Sequence, residues 1–159
     1  MRVLTLIATL CISFVAAAAD VKSPIVGVWQ LESFVTEYKD TGAKKPIFGE
    51  KPRGTLLFSP GGRILSLLTA DARPKADSDA NVVANFRSAY SVTGTYVVKG
   101  DRYTAKIEAS WNESLVGQEL GRSFKVEKDK LSIHTDWLPS PIEAGNPVTR
   151  ATTVWRRVR

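Results

Sequence analysis

The sequence is poor in the side chains that bind metals and carry out redox chemistry. Its 159 residues include one cysteine, Cys11, and one histidine, His134. A chain with a single cysteine forms no internal disulfide and holds no zinc ion or iron–sulfur cluster through several thiolates. The acids show no cluster with the spacing of metal ligands. We therefore expect neither a bound metal nor another cofactor.

Long apolar runs are also missing, and the sequence predicts no membrane span. The most apolar stretch, Val3 to Val15, follows Arg2 and precedes the alanine run Ala16 to Ala19. A positive start, a short apolar stretch and small residues are features of a secretory signal peptide. We predict a signal peptide over residues 1–19, cleaved after its third or fourth alanine, and an exported domain over residues 20–159. The expected location is periplasmic or secreted.

Cys11 offers a lipid-anchored alternative, which the neighbouring residues disfavour. Leu10 is bulky where lipoprotein signals have a small residue, and the apolar stretch continues beyond the cysteine. A mature chain without cysteine fits a bacterial periplasm better than a eukaryotic secretory pathway.

The formal net charge of +6 is spread along the chain. The one basic cluster comprises Arg150, Arg156, Arg157 and Arg159. A nucleic-acid-binding protein needs a basic stripe with exposed aromatic residues, or a helix that reads the groove, and neither pattern is present. We expect no nucleic-acid partner, and the sequence indicates no protein partner.

β-Branched and aromatic residues occur in eight short runs separated by turn residues. The runs are Val26 to Tyr38, Arg53 to Ser59, Arg63 to Thr69, Val92 to Val98, Arg102 to Trp111, Leu120 to Glu127, Lys130 to Asp136 and Val148 to Val158. Glycine and aspartate at the turns supply the positive φ angles of tight hairpins. The pattern is typical of an all-β sandwich or barrel.

One segment, Asp79 to Tyr90, has the period of a helix instead. Its apolar residues are Val82, Val83, Phe86, Ala89 and Tyr90. They share one helical face, and Ser78 or Asp79 can cap the amino terminus. We predict one short amphipathic helix that lies across the open mouth of a barrel.

An ordered set of motifs resembles the bacterial lipocalin-like domain family. The motifs are Gly27-Val28-Trp29, the segments Phe48 to Gly54 and Phe58 to Arg63, Tyr90 with Gly94 and Tyr96, and Val154 to Arg157. The resemblance covers Val26 to Arg157 and implies an eight-stranded antiparallel up-and-down barrel. Members of this family largely lack an assigned role, so the resemblance implies no catalytic residue. From lipocalins it implies that Trp29 packs at the closed end of the barrel beneath Arg156 or Arg157.

The alternation within the strands indicates a cavity inside the barrel. Large and small residues share the inner face of the fifth run: Tyr103, Ala105, Ile107, Ala109 and Trp111. A solid core would need bulk at both alanines. We predict that a small, largely apolar or amphipathic ligand contacts Phe58, Tyr96, Tyr103, Ile107, Trp111, Arg122 and Phe124, beside Leu56 and Ile133.

Arg122 has two interpretations because it lies between the inward-facing Leu120 and Phe124. A buried cation needs a counter-charge. The favoured interpretation is an internal ion pair, for which the available acids are Glu50, Glu108, Glu119 and Asp136. The alternative is that Arg122 binds a ligand carboxylate or another anion through its guanidinium fork.

Two further groups are ambiguous. His134 and Asp136 share a strand face and resemble a general-base pair, but the alternation places both outside the barrel. We therefore predict no catalytic residue. Ile47 and Phe48 lie in a loop expected at the mouth, where they either form a lid or pack on the rim.

Three functions fit this pattern. The first is an exported binding module for a small apolar ligand, and the second is a cavity enzyme of the isomerase or cyclase type. The third is a structural envelope protein whose barrel is filled by its own side chains. An enclosed cavity separates the third from the others, and an ionisable group inside it separates the second from the first.

Overall fold

The computed structural model describes residues 22–158. The predicted signal peptide lies outside these residues and stays a prediction. The strands are β1 Gly27–Tyr38, β2 Lys44–Lys45, β3 Arg53–Phe58, β4 Arg63–Thr69, β5 Ala89–Lys99, β6 Arg102–Ser110, β7 Glu119–Glu127, β8 Lys130–Thr135, β9 Leu138–Pro139 and β10 Val148–Arg157. The helix α1 spans Asp79–Arg87, and a 3₁₀ turn spans Glu113–Leu115. No helix within residues 22–158 has the length and apolarity to span a bilayer.

Eight of these strands form a closed antiparallel barrel. Their order is β1, β3, β4, β5, β6, β7, β8 and β10, and β10 pairs with β1 to complete the ring. This confirms the predicted eight-stranded barrel with one short helix. The two-residue strands β2 and β9 are not part of the closed ring. The strand β2 pairs with β1, and β9 pairs with β10. They are too short to show a period, so the sequence did not predict them.

One end of the barrel is closed by Trp29, which is fully buried. Its indole nitrogen donates to the Ile25 carbonyl at 2.8 Å, and the Arg157 guanidinium lies 4.0 Å from its ring centroid. Arg157 also donates to the carbonyls of Val26 and Pro24 at 2.8 and 2.7 Å. Arg157 is therefore the arginine that covers Trp29.

Gly27 makes this arrangement possible. Its φ is +142°, and a Cβ atom there would lie 2.6 Å from Arg157 Nη1. A side chain at this position would displace the guanidinium from the indole.

A β-bulge in β6 changes which side chains of this strand face the barrel interior. The pairing changes register between Thr93 and Gly94, so Glu108 and Ala109 both face outward and both are exposed. Gly94 lies opposite the bulge, and a Cβ there would come within 1.9 Å of the Lys106 carbonyl oxygen. The expectation that Ala109 faces the barrel interior is therefore wrong, whereas Tyr103, Ala105 and Ile107 are buried as predicted.

The helix forms where the period predicted it, but it does not cover the barrel mouth. Ser78 caps α1 by accepting from the Asn81 amide. The strand β5 already begins at Ala89, so Tyr90 belongs to the sheet. No residue of α1 is buried, and Phe86 is 49% exposed. No residue of α1 lines the cavity, and the chain enters the barrel wall two residues after Arg87, where Ala89 pairs with Thr69.

Candidate functional site

A cavity of about 540 Å³ occupies the barrel between its closed end and its mouth. Its wall is mostly apolar. The apolar lining includes Leu56, Ile64, Leu68, Ile107, Ile133 and Trp155, from five different strands. Ala105 also lines the cavity, and its short side chain leaves the space beside it open.

Hydroxyl groups interrupt this apolar wall. Five polar residues among the described part of the chain are classed as buried, and all five line the cavity: Thr36, Ser66, Ser140, Thr149 and Thr153. The Thr153 hydroxyl accepts from the Trp155 indole nitrogen at 2.7 Å. A buried hydroxyl is costly unless it has a partner. Hydroxyls that face an open space can supply the few polar contacts that orient a ligand.

Three connecting segments surround the mouth. They contribute Ile47, the turn residues Ser114, Leu115 and Gln118, and the stretch from Leu138 to Ile142. The side-chain amide of Asn112 donates to the Pro141 carbonyl at 3.1 Å and ties two of the segments together.

The first segment also contains Phe48. Its position decides whether this loop forms a lid or packs against the barrel. Phe48 is 1% exposed and its ring lies 4.6 Å from that of Phe34. The Phe48 carbonyl accepts from the Asp71 amide at 3.1 Å. Phe48 therefore packs into the barrel, and its neighbour Ile47 faces the cavity.

The last segment is held by a hydrogen bond between Tyr38 and Glu143. The Tyr38 hydroxyl donates to Glu143 Oε2, and the other carboxylate oxygen is buried without a partner among the described residues. Burial and the neighbouring carboxylate raise the pKa of Tyr38 to about 12. The phenol consequently stays protonated and keeps the segment at the mouth across the neutral pH range.

Arg122 provides the positive charge of the cavity wall. It is half-buried, and its Nη1 donates to the Gly121 carbonyl at 2.8 Å. The ion pairs found within residues 22–158 do not include it. Two of the four acids expected to neutralise it have other partners, since Glu108 pairs with Arg63 and Asp136 with Arg102, each at 2.7 Å. The favoured interpretation of an internal ion pair is therefore wrong.

Two tyrosines line the cavity near this charge. Burial raises the pKa of Tyr90, although hydrogen bonding and the charge of Arg122 oppose the shift. Burial likewise raises the pKa of Tyr103, and the Arg122 charge opposes it. Both phenols are consequently neutral hydrogen-bond donors at physiological pH.

The structure brings together three of the seven predicted ligand-contacting residues. Tyr103, Ile107 and Arg122 line the cavity, as do Leu56 and Ile133. That any of these residues contacts a ligand stays a prediction.

The other four predicted residues lie apart from the cavity lining. Phe58 packs against the rings of Tyr96 and Tyr103, with centroid distances of 4.9 and 5.1 Å. Phe124 is buried, and its ring centroid lies 6.3 Å from that of Tyr103. Trp111 sits on the rim, where it contacts Tyr90 and donates to the Phe86 carbonyl. Phe58 and Tyr96 pack closely against other rings and do not reach the cavity.

Several lining residues were not predicted from the sequence. Thr149, Ala151, Thr153 and Trp155 alternate along β10, and this period was visible in the sequence. The mouth segments gave no comparable signal because irregular loops have no period.

His134 and Asp136 do not form a catalytic pair. His134 Nδ1 lies 3.0 Å from the Thr152 hydroxyl, and Asp136 is paired with Arg102. Hydrogen bonding to Arg102 lowers the pKa of Asp136. Within residues 22–158, no group of three or more His, Cys, Asp or Glu side chains is placed to hold a metal ion.

A closed antiparallel barrel with an internal cavity defines a class of proteins to which lipocalins and related barrels belong. The sequence profile of the lipocalin-like domain matches residues 26–158, and the chain belongs to this family. No curated protein matches the sequence significantly.

The solved structures that this chain is similar to share little sequence with it. A lipocalin-like protein from Bacteroides uniformis is 13% identical, with a TM-score of 0.45, covering 84% of this chain and 97% of its own. An uncharacterised protein from Bacteroides eggerthii is 17% identical, with a TM-score of 0.42 and coverages of 84% and 98%. A barrel described as EF1p2_mFAP2b bound to DFHBI is 14% identical, with a TM-score of 0.43 and coverages of 84% and 93%.

Proposed function

We propose that this protein binds a small, largely apolar molecule inside its barrel. The observation that carries the proposal is the cavity of about 540 Å³ with its mainly apolar wall. Small-molecule sites in proteins commonly enclose about 300–1,000 Å³ and combine an apolar lining with a few polar groups. The hydroxyls of Thr36, Ser66 and Thr149 supply such groups here.

The two rival functions have less support. A structural barrel filled by its own side chains is at odds with the open volume. A cavity enzyme needs an acid or base that titrates near its working pH. Tyr90, Tyr103 and Arg122 are the ionisable residues among the described lining, and burial moves both phenols away from neutrality. Binding without chemistry therefore fits the lining better.

Ligand binding can be tested with N-phenylnaphthylamine, an uncharged fluorophore that brightens in apolar surroundings. The wild-type protein should bind it. Ala105 lines the cavity, so Ala105→Trp should weaken binding about tenfold or more while costing less than about 1.5 kcal/mol of stability, because the indole enters open space.

Ala109→Trp is the matched control. Ala109 lies on the same strand but faces outward, so this variant should bind the fluorophore as the wild type does. If the wild type does not bind, or if Ala109→Trp weakens binding as strongly as Ala105→Trp, the barrel cavity is not the site.

We propose further that the protein is exported to the periplasm or secreted. Arg2, the apolar stretch from Val3 to Val15 and the alanine run after it support this location. Amino-terminal sequencing of protein from its own host should find a chain that begins at Ala19 or Asp20. A chain that retains Cys11 would contradict the proposal.

A further inference from the structure

The cavity wall contains a positive charge that forms no ion pair within residues 22–158. Arg122 lines the cavity, and no acid is among the described lining residues. Asp136 is close enough for the charge of Arg122 to lower its pKa, but its ion pair is with Arg102. A half-buried cation with no paired acid is unfavourable, and an anion brought in by a ligand would remove the cost.

The donors around Arg122 exceed the acceptors that the protein offers them. A guanidinium carries five N–H donors, and here Nη1 donates to the Gly121 carbonyl at 2.8 Å while the guanidinium also hydrogen-bonds to the Tyr90 phenol. The neutral phenols of Tyr90 and Tyr103 add two O–H groups that also line the cavity. A planar anion with two acceptor oxygens suits such a set of donors.

The rest of the cavity suits an apolar body. Leu56, Ile64, Ile107 and Ile133 line the same continuous space as Arg122. A ligand with one charged group and a hydrocarbon body would therefore match both parts of the wall.

We infer that Arg122, Tyr90 and Tyr103 form an anion subsite in the cavity, and that the ligand is an amphiphile with a single carboxylate on an apolar body. The inference rests on the proposed function, because it assumes that the cavity is occupied by a ligand. It adds the chemical class of that ligand and the residues that recognise its charge.

The test compares decanoate with decan-1-ol as competitors for bound N-phenylnaphthylamine at about pH 8, where carboxylates are ionised. The two competitors share a chain length and differ in charge. The wild type should prefer decanoate by about tenfold to hundredfold, the range expected for a hydrogen bond to a charged group. If the fluorophore binds but the two competitors are equivalent, the anion subsite is wrong and the proposed function stands.

Arg122→Met should remove the preference and leave fluorophore affinity within about threefold of the wild type, since the substitution keeps the apolar wall. Lys125→Met is the matched control, because Lys125 is on the same strand and its side chain is 71% exposed. The control removes the same charge from the outer face and should keep the preference. Loss of the preference in Lys125→Met would attribute it to overall charge and overturn the inference.

Tyr103→Phe provides a second route that does not depend on how well Arg122→Met folds. It keeps the buried ring and removes one donor from the subsite. The preference for decanoate should fall about threefold or more, with fluorophore affinity unchanged. An unchanged preference in Tyr103→Phe would remove this tyrosine from the subsite, and an unchanged preference in a folded Arg122→Met would overturn the subsite altogether.

Discussion

Two arginines of the barrel are used in opposite ways, one at the closed end and one in the cavity wall. At the closed end, Arg157 lies on the Trp29 ring and donates to two backbone carbonyls. In the cavity wall, Arg122 donates to one backbone carbonyl, that of Gly121, and hydrogen-bonds to the Tyr90 phenol. The closed end has its packing and hydrogen bonding completed by the protein itself, as a structural core requires. The cavity retains an open volume and guanidinium donors that the protein does not use, and these are available to a ligand.

The largest loss of stability is expected for Trp29→Ala, which tests the closed end. The indole is fully buried and fills the closed end, so its loss should cost about 3–5 kcal/mol. Urea unfolding would measure the change. The same truncation at Trp111, which is half-exposed on the rim, should cost clearly less. A loss below about 1 kcal/mol for Trp29→Ala would show that the closed end is not the stabilising half.

Adjacent arginines on β10 allow a finer test. Arg157→Met should cost about 2 kcal/mol, because it removes the contact with Trp29 and two hydrogen bonds to carbonyls. Arg156→Met is the control, since Arg156 is exposed and pairs with Glu32 at the surface. It should cost less than about 1 kcal/mol in the same urea experiment. Equal losses would mean that the stack on Trp29 contributes nothing beyond a surface ion pair.

The smallest effect is expected at the open end, from Tyr38→Phe. Removing the hydroxyl takes the partner from Glu143 and should cost about 1 kcal/mol near neutral pH, since the mouth segment can partly rehydrate.

The pH dependence of this loss has a definite sign. The folded-state pKa of Tyr38 is raised from its ordinary value of 10.0 to about 12, so the neutral phenol is favoured by folding. Its stabilisation is complete below about pH 10 and is lost as the pH rises towards 12. The free energy of unfolding should therefore fall less in Tyr38→Phe than in the wild type over this window. A parallel fall in both proteins would exclude Tyr38 as the group that titrates.

The sequence predicted the barrel well because strand signals are local. Each of the eight main strands overlaps its predicted run, and the hairpin turns carry glycine at positive φ, as at Gly62 and Gly100. Alternation also placed Tyr103, Ala105 and Ile107 inside, where they are buried. These features depend on neighbours within a few residues along the chain.

The site was predicted less well because its geometry depends on distant contacts. The bulge opposite Gly94 turned Ala109 outward, and a single extra residue reverses every side chain beyond it. The charge of Arg122 was expected to be matched by an acid, yet Glu108 and Asp136 are held by arginines on the outer surface. Neither outcome is encoded in local spacing.

By itself, the sequence determined which segments become strands and where the helix begins. Those properties follow from residue period, turn chemistry and capping, all of which act over short distances in the chain. Only the tertiary structure decided which side chains share the cavity. The barrel brings β1 and β10 into register from opposite ends of the domain, and the space left between the strands depends on all of them together.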